Sequence, residues 1–126
     1  MLYADGEKIA IKINLATCMV GTLTPTPPGG YDTTKGYTNC IDNSPQMLTA
    51  LLRQLVDVVG VAQTNIAMGD PTALFPNHLW NVLHPSFPDV HYFDNSGGAG
   101  RTRAEFSTEP FFWSTNAATG KLQDYI

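Results

Sequence analysis

The fold is decided by the stretch Asn43–Thr72, NSPQMLTALLRQLVDVVGVAQTNIAMGDPT. Ser44 suits a helix N-cap, and Pro45 suits the first helical position. Apolar residues then recur at steps of three and four, which predicts an amphipathic helix with a broad apolar stripe. Its apolar positions are Met47, Leu48, Leu51, Leu52, Leu55, Val56 and Val59, and its polar ones are Gln46, Thr49, Arg53 and Asp57. Gly60 suits the left-handed residue that ends such a helix, and Asn65–Gly69 is typical of a short buried strand.

Further elements are predicted on both sides of this stretch. Apolar and polar residues alternate over Glu7–Leu15, which predicts a strand with Ile9, Ile11 and Ile13 on one face. Ala73–Leu83 is predicted to be a second helix capped by Thr72 with Pro76 in its first turn, and 90–93 a third strand. These elements predict a single α/β domain over residues 1–126, with a three-layer β-α-β-α-β arrangement and a mainly parallel sheet.

The tail of the chain has a different character. Residues 95–103 are predicted to form a flexible, locally basic loop, and aromatic residues cluster over 106–113. Phe111–Thr115 and Lys121–Ile126 predict a C-terminal β-hairpin-like extension. Because the chain stops at Ile126 without a polar tail, we expect it to be a fragment of a longer domain.

The segment between the first strand and the first helix is a long connection. Residues 16–43 are rich in Pro and Gly, and a loop of this length is usually functional or disordered. It predicts either a cover over a pocket or a partner-binding arm. Cys18 and Cys40 flank it, either as a disulfide or as two free thiols.

Composition limits the classes of partner. The chain has 126 residues, a net charge of -4 and 14% charged residues, against about 25% in a typical soluble domain. The acidic balance argues against nucleic-acid binding. The low charge suggests that part of the surface is covered by missing chain or by a homo-oligomer partner. Neither a signal segment nor a membrane-spanning run is present, so we expect a soluble, cytoplasmic chain, with a removed export leader left open.

Polar side chains follow each of the three predicted strands. Asn14 ends the first strand, Asp70 the second and Asp94 the third, with Thr72 and Asn95 directly behind. The carboxyl ends of parallel strands meet at one edge of the sheet, where α/β proteins bind ligands. Oxygen atoms of this kind suit hard divalent ions, so Asn14, Asp70 and Asp94 are candidate ligands for Ca²⁺ or Mg²⁺. The alternative is that these residues only form turns and helix caps.

Two further groups of residues bear on ligand binding. Lys12 is unusual inside a parallel strand, so it either lies solvated on an edge strand or reaches towards a site. The glycines of 97–100 with Arg101 and Arg103 could hold an anion, or could form only a mobile surface turn. The three histidines, His78, His84 and His91, have no metal-binding spacing, and a Gly-x-Ser-x-Gly motif is absent.

Three segments of the chain resemble the DUF362 family of bacterial proteins. Residues 9–15, IAIKINL, are similar to its "IKPN" strand, and residues 66–71, IAMGDP, to its "I-x-x-G-D" strand exit. The helix that starts at Ser44-Pro45 is similar to the helix after the family's first loop. The order and approximate spacing agree over residues 7–72, with Ile13 where the family usually has Pro and a longer loop before Asn43.

The resemblance implies an α/β domain from a normally much longer protein. Lys12, Asn14, Gly69 and Asp70 stand at its motif positions, which makes them site candidates. Some members carry iron–sulfur domains, but this chain has no cluster-binding cysteine spacing, so an iron–sulfur cofactor is not expected. The family implies no particular reaction.

Three functional hypotheses follow, and whether the chain is an enzyme stays open. The first is a metal-assisted hydrolase of a small ester or lactone, with Asp70 and Lys12 as catalytic residues and metal-bound water as the nucleophile. Lys12 would stabilise the oxyanion. The second is a non-catalytic ligand-binding or oligomerisation module. The third is a nucleotide or phosphate binder that acts through Gly97–Arg103. Thr72, Arg101 and Arg103 are the candidate ligand-binding residues of the chain.

Overall fold

The computed structural model describes residues 3–15 and 43–105, together with the backbone of residues 112–115 and 122–124. The predictions about the 16–42 loop, Cys18, Cys40 and the 106–113 aromatic cluster therefore lie mostly or wholly outside the described residues. None of the helices in the described residues combines the length and the hydrophobicity that spanning a membrane requires.

A four-stranded parallel sheet forms the centre of the fold. Its strands are β1 (Ile9–Lys12), β2 (Ile66–Gly69), β3 (His91–Asp94) and β4 (Thr102–Arg103), in that spatial order. Neighbouring strands pair in parallel throughout. This is a small α/β fold, as the alternation of strands and helices in the sequence predicted.

Two helices lie against this sheet. Helix α1 (Pro45–Arg53) follows β1, and helix α2 (Asn77–Leu83) follows β2. The two helices contact each other, so in the described part of the chain they share one face of the sheet. The strands follow one another in the sheet in the same order as in the chain, so each connection moves to the next position in the same direction across the sheet.

The core lies between the helices and that face. Ile66, Met68 and Tyr92 from the sheet meet Leu48 and Leu52 of α1, all almost completely buried. On the opposite face, Ala10 and His91 are exposed, and Ala67 and Phe93 are half-buried. The alternation predicted for β1 is present, because Ile13 is buried while Ala10, Lys12 and Asn14 are exposed.

The first helix changes its hydrogen-bonding pattern midway. The α-helix ends at Arg53 and continues as a π-helix over Gln54–Val59. Gly60 then adopts φ 85°, the left-handed conformation predicted for it. The apolar stripe is broader than the buried face, because Met47 is 56% exposed and Leu51 39% exposed.

The second helix is shorter than predicted. It begins at Asn77 rather than Ala73, with Pro76 at the N-cap position, so the predicted N-cap role of Thr72 is wrong. The Phe75 N–H donates to Asp94 Oδ2 and the Phe75 carbonyl accepts from Arg101 Nε. In a helix beginning at Ala73, the Phe75 carbonyl would accept from a backbone N–H within the helix, whereas the Phe75 N–H would belong to the first turn and need an outside acceptor.

The segment after β3 is more ordered than predicted. Residues 95–103 were expected to form a flexible loop, but Thr102 pairs with Phe93 and Arg103 with Asp94 in a parallel ladder. Farther on, β5 (Phe112–Thr115) pairs antiparallel with β6 (Leu122–Asp124), with an irregularity near Phe112 and Ser114.

Candidate functional site

Asp70 is the centre of a hydrogen-bond network at the carboxyl end of the sheet. Its side chain is fully buried, with one oxygen facing Thr72 and the other facing the end of β1. Oδ1 accepts from the Thr72 N–H at 2.9 Å and from the Thr72 hydroxyl at 2.7 Å. Oδ2 accepts from the Leu15 N–H at 3.0 Å and from Lys12 Nζ at 3.2 Å. These four donors occupy all four lone-pair positions of the carboxylate.

The same network sets the acidity of Asp70. Burial by itself raises the pKa of this carboxyl, because it penalises the charged form. Hydrogen bonds from Thr72, Leu15 and Lys12 act in the opposite direction and outweigh burial, so the pKa lies below its ordinary value of 3.8. Asp70 is therefore a carboxylate at neutral pH and holds the exits of β1 and β2 together.

The sequence left open whether Lys12 is solvated on an edge strand or reaches towards a site, and the structure shows a partly solvated side chain that also contacts Asp70. Lys12 lies on β1, which is at the edge of the sheet formed by the described strands, and its side chain is 59% exposed. Its ammonium also forms an ion pair with the buried Asp70 carboxylate. The structure thus brings together the two residues predicted to be catalytic.

Asp94 organises the next loop in a similar way. Its side chain is also fully buried. Oδ1 accepts from the N–H groups of Ser96 at 2.9 Å and Gly97 at 2.6 Å, and Oδ2 accepts from the Phe75 N–H at 3.1 Å. Three backbone donors from two loops therefore converge on this one carboxylate.

Asn95 joins the two loops to each other. Its side-chain amide donates to the Thr72 carbonyl at 3.2 Å, and its backbone N–H donates to the Ala73 carbonyl. Asn14 lies at the exit of β1, where its backbone N–H donates to Asn43 Oδ1 at 3.3 Å. Asn14 is thus placed by the start of the α1 segment.

The two candidate ligand-binding arginines occupy different environments. Arg101 is only 6% exposed, and its guanidinium donates to the Phe75 and Ala99 carbonyls and to Asn77 Oδ1. Arg103, two residues later, is exposed. Arg101 is therefore held by groups of its own chain, while Arg103 is accessible to solvent.

The loop before Arg101 uses its amides internally. The Gly98 N–H donates to the Arg101 carbonyl, and the Arg101 N–H donates to the Gly98 carbonyl. With Gly97 donating to Asp94, this loop differs from an open nest of N–H groups around an anion.

A cleft lies where these loops meet. It has a volume of about 610 Å³, and it is lined by Pro71, Thr72, Asn95, Arg103, Ala104 and Glu105. Of its polar residues, Thr72 and Arg103 were predicted as ligand-binding, whereas the lining role of Asn95 and Glu105 was not. The only sequence signal that Glu105 lines the cleft is its place two residues after Arg103, which puts both on the same side of an extended chain.

Hydrogen-bond donors occupy most of the acceptor positions of the two carboxylates that were predicted as metal ligands. The lone pairs of Asp70 are occupied by hydrogen-bond donors, and Asp94 faces three backbone N–H groups. A cation beside Asp70 would have to displace donors that hold the loops together, whereas the three donors of Asp94 leave one of its lone-pair positions open. Within the described residues, His, Cys, Asp and Glu side chains form no cluster of three that could hold a metal ion.

The chain was compared with protein-family models, with curated proteins and with solved structures. None of these three comparisons gives a match.

Proposed function

We propose that this chain is a non-catalytic ligand-binding module whose site is the cleft at the carboxyl edge of the sheet. The proposal rests on one observation: the buried carboxylates of Asp70 and Asp94 bind the loops that form the cleft. The side chains that line the cleft, such as Arg103 and Glu105, are therefore the ones that would contact a ligand. Their hydrogen bonds fix the cleft walls before any ligand arrives. Such preorganisation lowers the entropic cost of binding.

The charges in the cleft favour a small zwitterion as its ligand. Arg103 and Glu105 both line the cleft and are both exposed. Within residues 3–15 and 43–105, the one ion pair is that of Lys12 with Asp70, so these two charges are not paired with each other or with another described residue. A molecule with a carboxylate and an ammonium group satisfies both, the carboxylate binding Arg103 and the ammonium Glu105.

Calorimetric titration with L-alanine tests the site, because this molecule carries both charges and little else. We expect L-alanine to bind, and acetate and methylammonium to bind more weakly. Arg103→Gln and Glu105→Gln should each weaken L-alanine binding about tenfold, the effect of losing one charge-assisted hydrogen bond.

Arg53→Gln is the matched control, since Arg53 is an exposed arginine that does not line the cleft. We expect it to bind L-alanine as the unaltered protein does. Absence of L-alanine binding, or binding that survives Arg103→Gln unchanged, would show that the proposal is wrong.

A metal-assisted hydrolase of a small ester or lactone is the second candidate. It is favoured by the ion pair of Lys12 and Asp70, which joins an accessible ammonium to a carboxylate at the sheet edge. Thermal melting with Ca²⁺, Mg²⁺ or EDTA separates the two candidates. The ligand-binding proposal predicts no ion-dependent change in Tm. A rise with Ca²⁺ or Mg²⁺ that disappears in Asp94→Asn would favour the hydrolase.

We also infer that the whole chain has the predicted three-layer β-α-β-α-β architecture with a C-terminal hairpin. The half-buried Ala67 and Phe93 support this, since they lie on the face of the sheet opposite the two helices. An experimental structure of the complete chain tests it. A second face without any covering layer would contradict the inference.

A further inference from the structure

A groove runs along the outer side of the first helix, away from the residues that line the carboxyl-edge cleft. It has a volume of about 590 Å³ and is formed by α1, its π-helical continuation and one residue of α2. Its lining residues are Gln46, Thr49, Ala50, Arg53, Gln54, Asp57, Val58 and Val82. We call this surface the α1 groove.

The α1 groove exposes apolar surface. Val58 is 70% exposed and Val82 is 47% exposed, and both line the groove. Ala50, which is also exposed, provides a small side chain at which another backbone can approach closely. Covering these side chains removes apolar area from water, which favours association.

The α1 groove also carries one positive and one negative charge. Arg53 ends the α-helix and Asp57 lies four residues later in the π-helical segment. Both side chains are exposed, and neither forms an ion pair with any residue of the described part of the chain. The two charges are therefore available to a partner.

We propose that the α1 groove is the interface of a homodimer, with a second copy of this chain as its occupant. Two copies of the helix packed antiparallel, with the two-fold axis crossing the groove midway between Arg53 and Asp57, place Arg53 level with the partner's Asp57. The two-fold axis repeats this pair, so both charges of both copies are satisfied. A surface that complements itself in this way is what a two-fold interface requires.

The same packing covers the apolar residues of the groove. Val58 of each copy meets the partner helix near the axis, and Val82 lies at the rim. The helix spans only about four turns, so the buried area falls at the low end of protein interfaces, below about 1,200 Å². The dimer is accordingly weak and in reversible exchange with monomer. This inference does not depend on the proposed ligand.

Sedimentation equilibrium of the full chain over a range of concentrations tests the dimer. We expect a concentration-dependent monomer–dimer equilibrium. Either single substitution, Arg53→Asp or Asp57→Arg, places like charges opposite each other in both symmetry-related pairs of the dimer. It should therefore raise the dissociation constant about tenfold or more. The double variant Arg53→Asp/Asp57→Arg reverses both members of each pair and should restore dimerisation.

Asp89→Arg is the matched control, because it makes the same charge change at an exposed residue outside the groove. Because Arg53 and Asp57 are both exposed, we expect each variant to fold, and circular dichroism checks this. A chain that stays monomeric at all concentrations would overturn the proposal. A dimer that neither single reversal weakens, or that the double variant fails to restore, would overturn it as well.

Discussion

The guanidinium carbon of Arg101 lies 4.2 Å from the centroid of the Trp80 ring. This contact joins the loop before β4 to helix α2, and the same guanidinium binds the Phe75 carbonyl at 3.1 Å. Arg101 is thus a buried residue that holds the start of α2 in place. Its sequence context, a run of glycines before two arginines, had suggested either an anion-binding loop or a mobile surface turn.

Replacement of Arg101 should destabilise the fold, and lysine should not rescue it. Arg101→Ala leaves the Phe75 carbonyl and Asn77 Oδ1 without their donor and removes the contact with Trp80, at a cost of about 3 kcal/mol. Arg101→Lys keeps the charge but cannot reproduce the planar fork of donors. Urea unfolding measures both. A lysine variant as stable as the unaltered protein would show that charge alone matters.

Asp70→Ala should be far more costly than the loss of its ion-pair partner. The substitution leaves the buried Leu15 N–H without an acceptor and frees the Thr72 hydroxyl, which costs about 3 kcal/mol in free energy of unfolding. Lys12→Ala removes only a half-exposed partner and should cost less than about 1 kcal/mol. Parallel denaturant titrations compare the two, and equal losses would contradict this account.

The lowered pKa of Asp70 predicts a loss of stability in acid. Since the carboxyl is more acidic in the folded chain than in the unfolded chain, its contribution is fully present above the ordinary pKa of 3.8. It is lost as pH falls from about 4 through the lower pKa of the folded state. The free energy of unfolding, measured against pH for the protein and for Asp70→Asn, should show this loss only in the former.

Gly69 should not tolerate a side chain. A Cβ at this position would overlap the Phe93 carbonyl on the neighbouring strand, so Gly69→Ala should separate β2 from β3 and cost about 3 kcal/mol. Gly60→Ala is the control: its backbone has φ 85° but nothing lies within 4 Å, so only conformational strain of about 1 kcal/mol is expected. Thermal unfolding distinguishes them, and similar losses would count against the steric explanation.

The local patterns of the sequence predicted the elements that depend on nearby residues. The α1 segment and its Gly60 stop follow from apolar spacing and a left-handed cap. The hydrogen-bond partners of the candidate site residues could not be predicted in this way. Asp70 and Asp94 do lie at strand exits, but their oxygens bind loop N–H groups and Lys12, which their identity as carboxylates could not reveal.

By itself, the sequence determined the α/β class of the fold and the approximate places of the first helix and the first three strands, because periodicity and capping act over a few residues. Only the tertiary structure decided where α2 begins, what Arg101 binds and which side chains line the cleft. The Arg101 guanidinium meets a carbonyl 26 positions away, and Asp94 meets an N–H 19 positions away. Contacts at that separation arise from the pairing of strands and loops in space. They replace local hydrogen bonds because a buried backbone group must find a partner.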